Sequence, residues 1–274
     1  MPESAATWLR NTTNYWTPSP TQFAGARNHR SAIETRLDSD LGIFGMFEIG
    51  SLRHGTGIWL HSDADYLVSL KGSKPTSPWT TLNKVKASLQ ARFPSTTIVV
   101  SQPAVVCRFS DGDVEVVPGY YTDGGYSIPD PTGGWMLTHP GEHNAWVNEV
   151  NMKFDGAAKK LARQVKIWKY KRNVPVSSCY LEMRAANHIN GEKEYLPLWD
   201  LYLSLKKMKT AQLAAMNDPT GLGSRFTATS SDYNRADALS KLSTAVSRAE
   251  KAKDYSAAGD EPNAIAQLKL LFNV

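Results

Sequence analysis

Three carboxylates and a glycine-serine turn carry the chemistry that this sequence offers. Asp63 and Asp65 alternate with Ala64 and Tyr66, so on an extended backbone both carboxylates face one side. Two carboxylates a few ångströms apart repel each other unless a divalent cation sits between them. Asp-x-Asp alone is also common in polar turns, so the pair gains meaning only with a third acid. Asp113-Val114-Glu115-Val116-Val117-Pro118 supplies it, in a strand pattern that points Glu115 to one face among apolar neighbours. If the two strands lie side by side, three carboxylates converge. Such a cluster can hold two metals, one activating a hydroxyl and one bridging a triphosphate. Twelve residues before Asp63, an apolar run enters Gly50-Ser51. Glycine lets backbone amides approach a phosphate closely, and serine adds a hydroxyl donor.

The elements that must position these groups differ between the two halves of the 274-residue chain. A helix is expected from Thr21 to Asp40, with Phe23, Ala26, Ile33 and Leu37 as its apolar stripe. Short apolar runs at 43–49, 66–70, 96–100, 105–109 and 114–117 read as strands, and Leu82, Val85 and Leu89 mark a helix among them. Beyond about residue 140 the text is helical: 144–170, 177–188, 196–216, 232–257 and 263–272. The expected fold class is therefore α+β and bilobed. Residues 1–145 form a catalytic lobe of N-terminal helix plus mixed sheet, residues 146–274 a helical lobe, with a cleft between.

Charge sharpens this reading. The balance is 31 basic against 26 acidic residues, yet eight Lys or Arg fall between Lys153 and Arg172 beside the single acid Asp155. Such a run is either a solvated helix face or the footprint of an anionic partner. Arg163 and Lys166 share one helix face at a spacing of three. No stretch reaches the roughly 20 apolar residues of a membrane helix, and no secretory leader is read at the start. With only Cys107 and Cys179, a reducing, cytoplasmic setting is expected.

Gly50-Ser51-x3-Gly55-Thr56, then Asp63-x-Asp65, then an acid before Val-Val-Pro, resembles the polymerase-β-like nucleotidyltransferases. Within them the chain is similar to the bacterial cGAS/DncV-like enzymes (CD-NTases), relatives of cyclic GMP–AMP synthase and oligoadenylate synthetase. The likeness continues through Trp135–Pro140 and His143-Asn144, the Arg163-x-x-Lys166-x-Trp168 helix, Ser178-Cys179-Tyr180-Leu181-Glu182, and Asp218-Pro219-Thr220-Gly221. The resemblance implies that Asp63, Asp65 and Glu115 bind two Mg²⁺ ions, with Mn²⁺ as substitute. It implies that Ser51, with Gly50, contacts the donor's phosphates, and that Lys166 and Ser178 grip the triphosphate from the helical lobe. The implied substrates are nucleoside triphosphates, including ATP, and the product a cyclic di- or trinucleotide. That second messenger acts on a separate effector in anti-phage signalling, with no membrane involved and no DNA activator expected. Nucleotidyl transfer to a protein, RNA or small molecule, or a degenerate nucleotide-binding module, are the competing readings.

Two departures from the family pattern stand out. Glu115 replaces the usual Asp and reaches further by about one carbon–carbon bond, roughly 1.5 Å. A misplacement of about 1 Å can cost on the order of a hundredfold in rate. Cys179 stands where relatives present an aromatic that stacks on a base, so Tyr180 or Trp59 is expected to serve instead. The His139-x3-His143 spacing reads as a structural turn rather than zinc, since Pro140 and Gly141 interrupt it. Gly221-Leu222-Gly223-Ser224 lacks the Lys-Ser/Thr ending of a P-loop and reads as a connection.

Overall fold

The computed structural model describes residues 3–19, 21, 24–61 and 63–274. The expected first helix is broken into α2 (Ala24–Asn28) and α3 (Arg30–Leu41); Phe23 lies outside the described residues. Next come β1 (Ile43–Glu48), the short helix α4 (Gly50–His54), β2 (Ala64–Leu70) and α5 (Pro78–Arg92). A meander follows: β3 (Thr97–Ser101), β4 (Ala104–Phe109), β5 (Gly112–Thr122), β6 (Gly125–Pro129) and β7 (Trp135–Thr138). These strands form one mixed sheet in the order β1-β2-β5-β4-β3, with β6 on the far half of β5 and β7 on β6. The β2–β5 pair is parallel, and the other pairs are antiparallel.

Strand alternation sorts the side chains. Tyr66, Val68, Val114 and Val116 point to one face, where Ile33 and Leu37 of α3 and Leu82, Val85 and Leu89 of α5 complete a core. The intervening residues point to the opposite face. There Leu67 and Val117 pack with Ala104 and Ile128, and Asp65 and Glu115 continue the same rows. The helices thus cover one face of the sheet and leave the other to the site.

The remaining helices are α6 (Pro140–Lys153), α7 (Ala157–Lys171), α8 (Ser178–Asn190), α9 (Pro197–Thr210), α10 (Asp232–Ala257) and α11 (Glu261–Phe272). They enclose a second core that includes Leu161, Val165 and Trp168 of α7, Leu181 of α8 and Leu268 of α11. α1 (Ala5–Tyr15) joins this helical core through Ala5 and Leu9, and Trp8 packs on Phe272 with ring centroids 6.4 Å apart. By packing, the first helix of the chain therefore belongs with the last.

Candidate active site

The parallel register sets Asp65 directly beside Glu115. Asp63 precedes β2 and shares the face of Asp65 by alternation. Gly50 closes in from the side. With φ at +64°, a Cβ there would lie 2.1 Å from Asp65 Oδ2, so only glycine lets this carboxylate lie against the turn. The Ile49 amide donates to the Asp65 carbonyl at 2.9 Å, and the Thr56 amide to the Ser51 carbonyl at 2.9 Å. Gly50-Ser51 is therefore the first turn of α4, fixed to β2 just where the carboxylates begin.

Burial and mutual repulsion raise all three acids. Glu115 is pushed up to about 7 by burial and by Asp63, although it shares a hydrogen bond with Asp65. Asp65 is held well above the usual carboxylate range by burial, Glu115 and Asp63. Asp63 is raised by burial and by Asp113, whose strand position lies opposite Arg108. Lys166 and Lys169 pull the other way without prevailing. Hard oxygen donors held together against their repulsion fit a divalent cation.

The cleft over these groups has a volume of about 690 Å³, and Gly50, Ser51, Asp63, Asp65, Glu115, Lys169 and Ser178 line it. Lys169 Nζ donates to Ser178 Oγ at 2.6 Å, and Tyr170 Oη lies 3.2 Å from the same oxygen. Burial and the nearby Lys166 lower the Lys169 amine to about 8. Lys166, one turn earlier, is only 1% exposed. Its Nζ donates to Glu182 Oε1 at 2.6 Å and to the Thr56 carbonyl at 3.0 Å. Ser178 thus meets Lys169 at the cleft wall, and Lys166, which lines the same cleft, is paired with Glu182 and the Thr56 carbonyl. Helical spacing alone does not separate two lysines three residues apart, which sit about 60° from each other around the axis.

Tyr180 does not serve as a base platform: it is 0% exposed and its hydroxyl donates to the Ala214 carbonyl at 3.0 Å. Trp59 packs edge-on against Tyr15 at 5.5 Å. The aromatic rings that line the cleft include His61 and Tyr170, stacked in parallel at 4.5 Å. Neither carried a motif in the sequence; nearness to Asp63 and Lys169 was the available signal.

The far rim joins the lobes. The Ser224 amide donates to the Leu137 carbonyl at 2.9 Å, and the Leu137 amide to Ser224 Oγ at 3.0 Å. Asp218 receives His143 Nε2 and the Gly223 amide, both at 2.7 Å. His143 therefore serves this connection. Another acid-imidazole group, His188, Glu192 and Asp200, has ligand atoms within 4.8 Å of one another in the helical lobe. Its imidazole already contacts Asp200 at 2.8 Å through Nε2 and Lys207 at 2.8 Å through Nδ1.

A mixed sheet with carboxylates on neighbouring parallel strands, facing a helical lobe across a cleft, defines a bacterial cGAS/DncV-like nucleotidyltransferase fold. Residues 5–151 match the model of the SMODS family, the Second Messenger Oligonucleotide or Dinucleotide Synthetase domain, and the chain belongs to that family. The family uses divalent metal ions. A probable cyclic nucleotide synthase of Bacillus cereus (strain VD146) is 29% identical over 198 residues, 66% of this chain and 56% of that protein. The chain thus spans little more than half the length of that relative. CdnC of Escherichia coli MS115-1, in its HORMA-deltaN complex, superposes with a TM-score of 0.73 at 16% identity, covering 98% of this chain and 96% of that one. CdnG of Bradyrhizobium diazoefficiens, in complex with GTP, gives 0.73 at 12% identity and covers 99% of both chains.

Proposed function

We propose that this chain condenses nucleoside triphosphates into a cyclic di- or trinucleotide. The observation that carries the reading is the adjacency of Asp65 and Glu115 on parallel strands, below a cleft with Lys169 and Ser178 on its other wall. A ribose 2′- or 3′-hydroxyl of one nucleotide attacks the α-phosphorus of the next; the bond to the β-phosphate breaks and pyrophosphate leaves. Two divalent ions, Mg²⁺ or Mn²⁺, supply charge neutralisation and hydroxyl activation when Asp63, Asp65 and Glu115 hold them. Gly50 and Ser51 cradle the donor's outer phosphates. Lys166 and Ser178, with Lys169 beside them on the same wall of the cleft, grip the triphosphate from the helical lobe, each lysine a compact cation. The division of labour follows the two cores, with residues 1–145 bearing the chemistry and 146–274 the grip, α1 excepted.

The product acts on a separate effector protein in cytoplasmic anti-phage signalling, without a DNA activator. Family membership and the likeness to the Bacillus relative support this wider role. The test is incubation of purified protein with labelled ribonucleoside triphosphates and Mg²⁺ or Mn²⁺, then phosphatase, chromatography and mass spectrometry. A phosphatase-resistant cyclic di- or trinucleotide is expected. Label on a protein, RNA or small-molecule acceptor would instead establish single nucleotidyl transfer, and binding without turnover a degenerate module.

A further inference from the structure

The acid-imidazole group of the helical lobe lies apart from the nucleotide cleft. His188 stands near the end of α8, whose first residue, Ser178, lines the cleft. Ten residues of helix separate the two by about 15 Å. His188 is 4% exposed and Asp200 3%. Asp200 is fixed in place: Oδ2 accepts the Leu196 amide at 2.6 Å, and Oδ1 lies 2.8 Å from His188 Nε2. On the other side of the ring, Lys207 Nζ lies 2.8 Å from Nδ1. A lysine ammonium only donates, so Nδ1 accepts and the ring proton sits on Nε2, facing Asp200. Glu192 Oε1 is 3.1 Å from the same Nζ and 3.5 Å from Nδ1. A proton taken up at Nδ1 therefore gives an imidazolium with a carboxylate on each side, which favours the charged form.

The Lys207 side chain itself is 57% exposed. Beside it α9 carries a hollow of about 360 Å³, lined by Leu203, Lys206, Lys207, Thr210 and Ala211. Lys206 shares this hollow, but its Nζ donates to the Tyr202 hydroxyl at 2.9 Å, which raises its amine above the ordinary lysine value. Of two adjacent lysines on one helix, Lys207 meets a base and Lys206 a phenol. We propose that Lys207 is a modification site that accepts a short acyl group from an acyl thioester or acyl phosphate, with His188 as the base. Nζ attacks the acyl carbonyl carbon as the free amine, having lost one proton to water. The C–N bond forms, and the bond to sulfur or to the phosphate oxygen breaks. Its electron pair leaves with the thiolate or phosphate. The proton shed by the attacking nitrogen passes to His188 Nδ1. Leu203 and Ala211 receive the aliphatic end of the acyl group, and the amide that results has lost the lysine charge.

The test incubates the purified protein with acetyl phosphate or with acetyl-CoA, without any acetyltransferase, and follows each lysine by peptide mass spectrometry. Wild type, His188→Gln and Lys207→Arg are compared, with melting temperatures read alongside. Glutamine can still donate to Asp200 but offers no lone pair where Nδ1 stood. In wild type, Lys207 is expected to react about tenfold or more faster than Lys206 and the exposed Lys193. In His188→Gln its rate should fall to within about threefold of theirs. Lys207→Arg should lose the fast phase and leave Lys206 and Lys193 unchanged. The donor that gives the larger excess identifies the source of the acyl group. Lys207 reacting no faster than Lys206 in wild type would overturn the proposal, as would an undiminished excess in His188→Gln. Should that variant melt far below wild type, the comparison of Lys207 with Lys206 decides by itself, because the two share one helix and one hollow.

Discussion

The cleft is lined by two kinds of acid, the half-buried trio of the sheet and the buried Glu182 of α8, and their environments drive them in opposite directions. On the sheet, Asp63, Asp65 and Glu115 face one another, and all three are raised. On the helical wall of the cleft, Glu182 is held down to about 2; Lys166 and His54 outweigh the cost of its burial. On the proposed reading, a divalent cation held by the first group would relieve that repulsion. The second has spent its charge within the protein and serves as structure. Burial alone therefore does not mark a functional carboxylate; the sign of its neighbours does.

The largest effect should come from removing an unpaired acid. Asp65→Asn or Asp63→Asn is expected to abolish cyclic product by roughly a thousandfold or more, while the metal-free protein melts no lower than wild type. If the melting temperature fell instead, the two groups would not differ as described. Gly50→Ala should cost about a hundredfold in turnover, because the new methyl collides with Asp65 Oδ2 and the backbone stays left-handed. Activity near wild type would mean that Asp65 does not work from this position.

Lys169→Met should raise the triphosphate KM by about tenfold or more with a smaller change in kcat. In wild type, kcat/KM should fall as pH rises through about 8, where the Lys169 amine loses its proton; the Met variant should lack that limb. Glu115→Asp should lower turnover by about tenfold, since it retracts the carboxylate from its place beside Asp65. A gain in turnover would identify Glu115 as a weakening substitution.

The smallest effect is on stability. Glu115 titrates near 7 in the folded protein, against 4.5 ordinarily. The native state then binds more protons across that interval, and stability falls as pH rises from about 4.5 to 7. Relative to Glu115→Gln, the metal-free wild type should therefore lose melting temperature over that range. Mg²⁺ should restore more of it at pH 8 than at pH 6, where a proton must first be displaced. Glu182 behaves conversely: its contribution is complete above about pH 4.5 and disappears as pH falls towards 2. A flat difference curve for Glu115→Gln would erase the contrast between the two groups.

Much of this arrangement was legible in the chain itself. Alternation around Asp63, Asp65 and Glu115 fixed which side of each strand they occupy, because the strand period is a local property of the backbone. Apolar spacing likewise located α5, α8, α10 and α11 within a few residues, whereas the helical text expected over 144–170 is broken into α6 and α7 by left-handed Asp155 and Gly156. α1 escaped notice because its Thr- and Asn-rich text is poor in helix formers, and packing of Ala5 and Leu9 on the helical core holds it. α4 and β7 are too short to show a period.

What the sequence determined by itself was local: the faces of strands, the stripes of helices, the turn before the carboxylates, and a family pattern. Only the tertiary structure decided which distant groups meet. Ladder pairing set Asp65 beside Glu115 across fifty residues of chain, and lobe packing turned Lys166 towards Glu182 while leaving Lys169 to Ser178. The physical reason is that strand and helix periods fix direction along one segment. Charge pairing and burial depend on what another segment brings within a few ångströms.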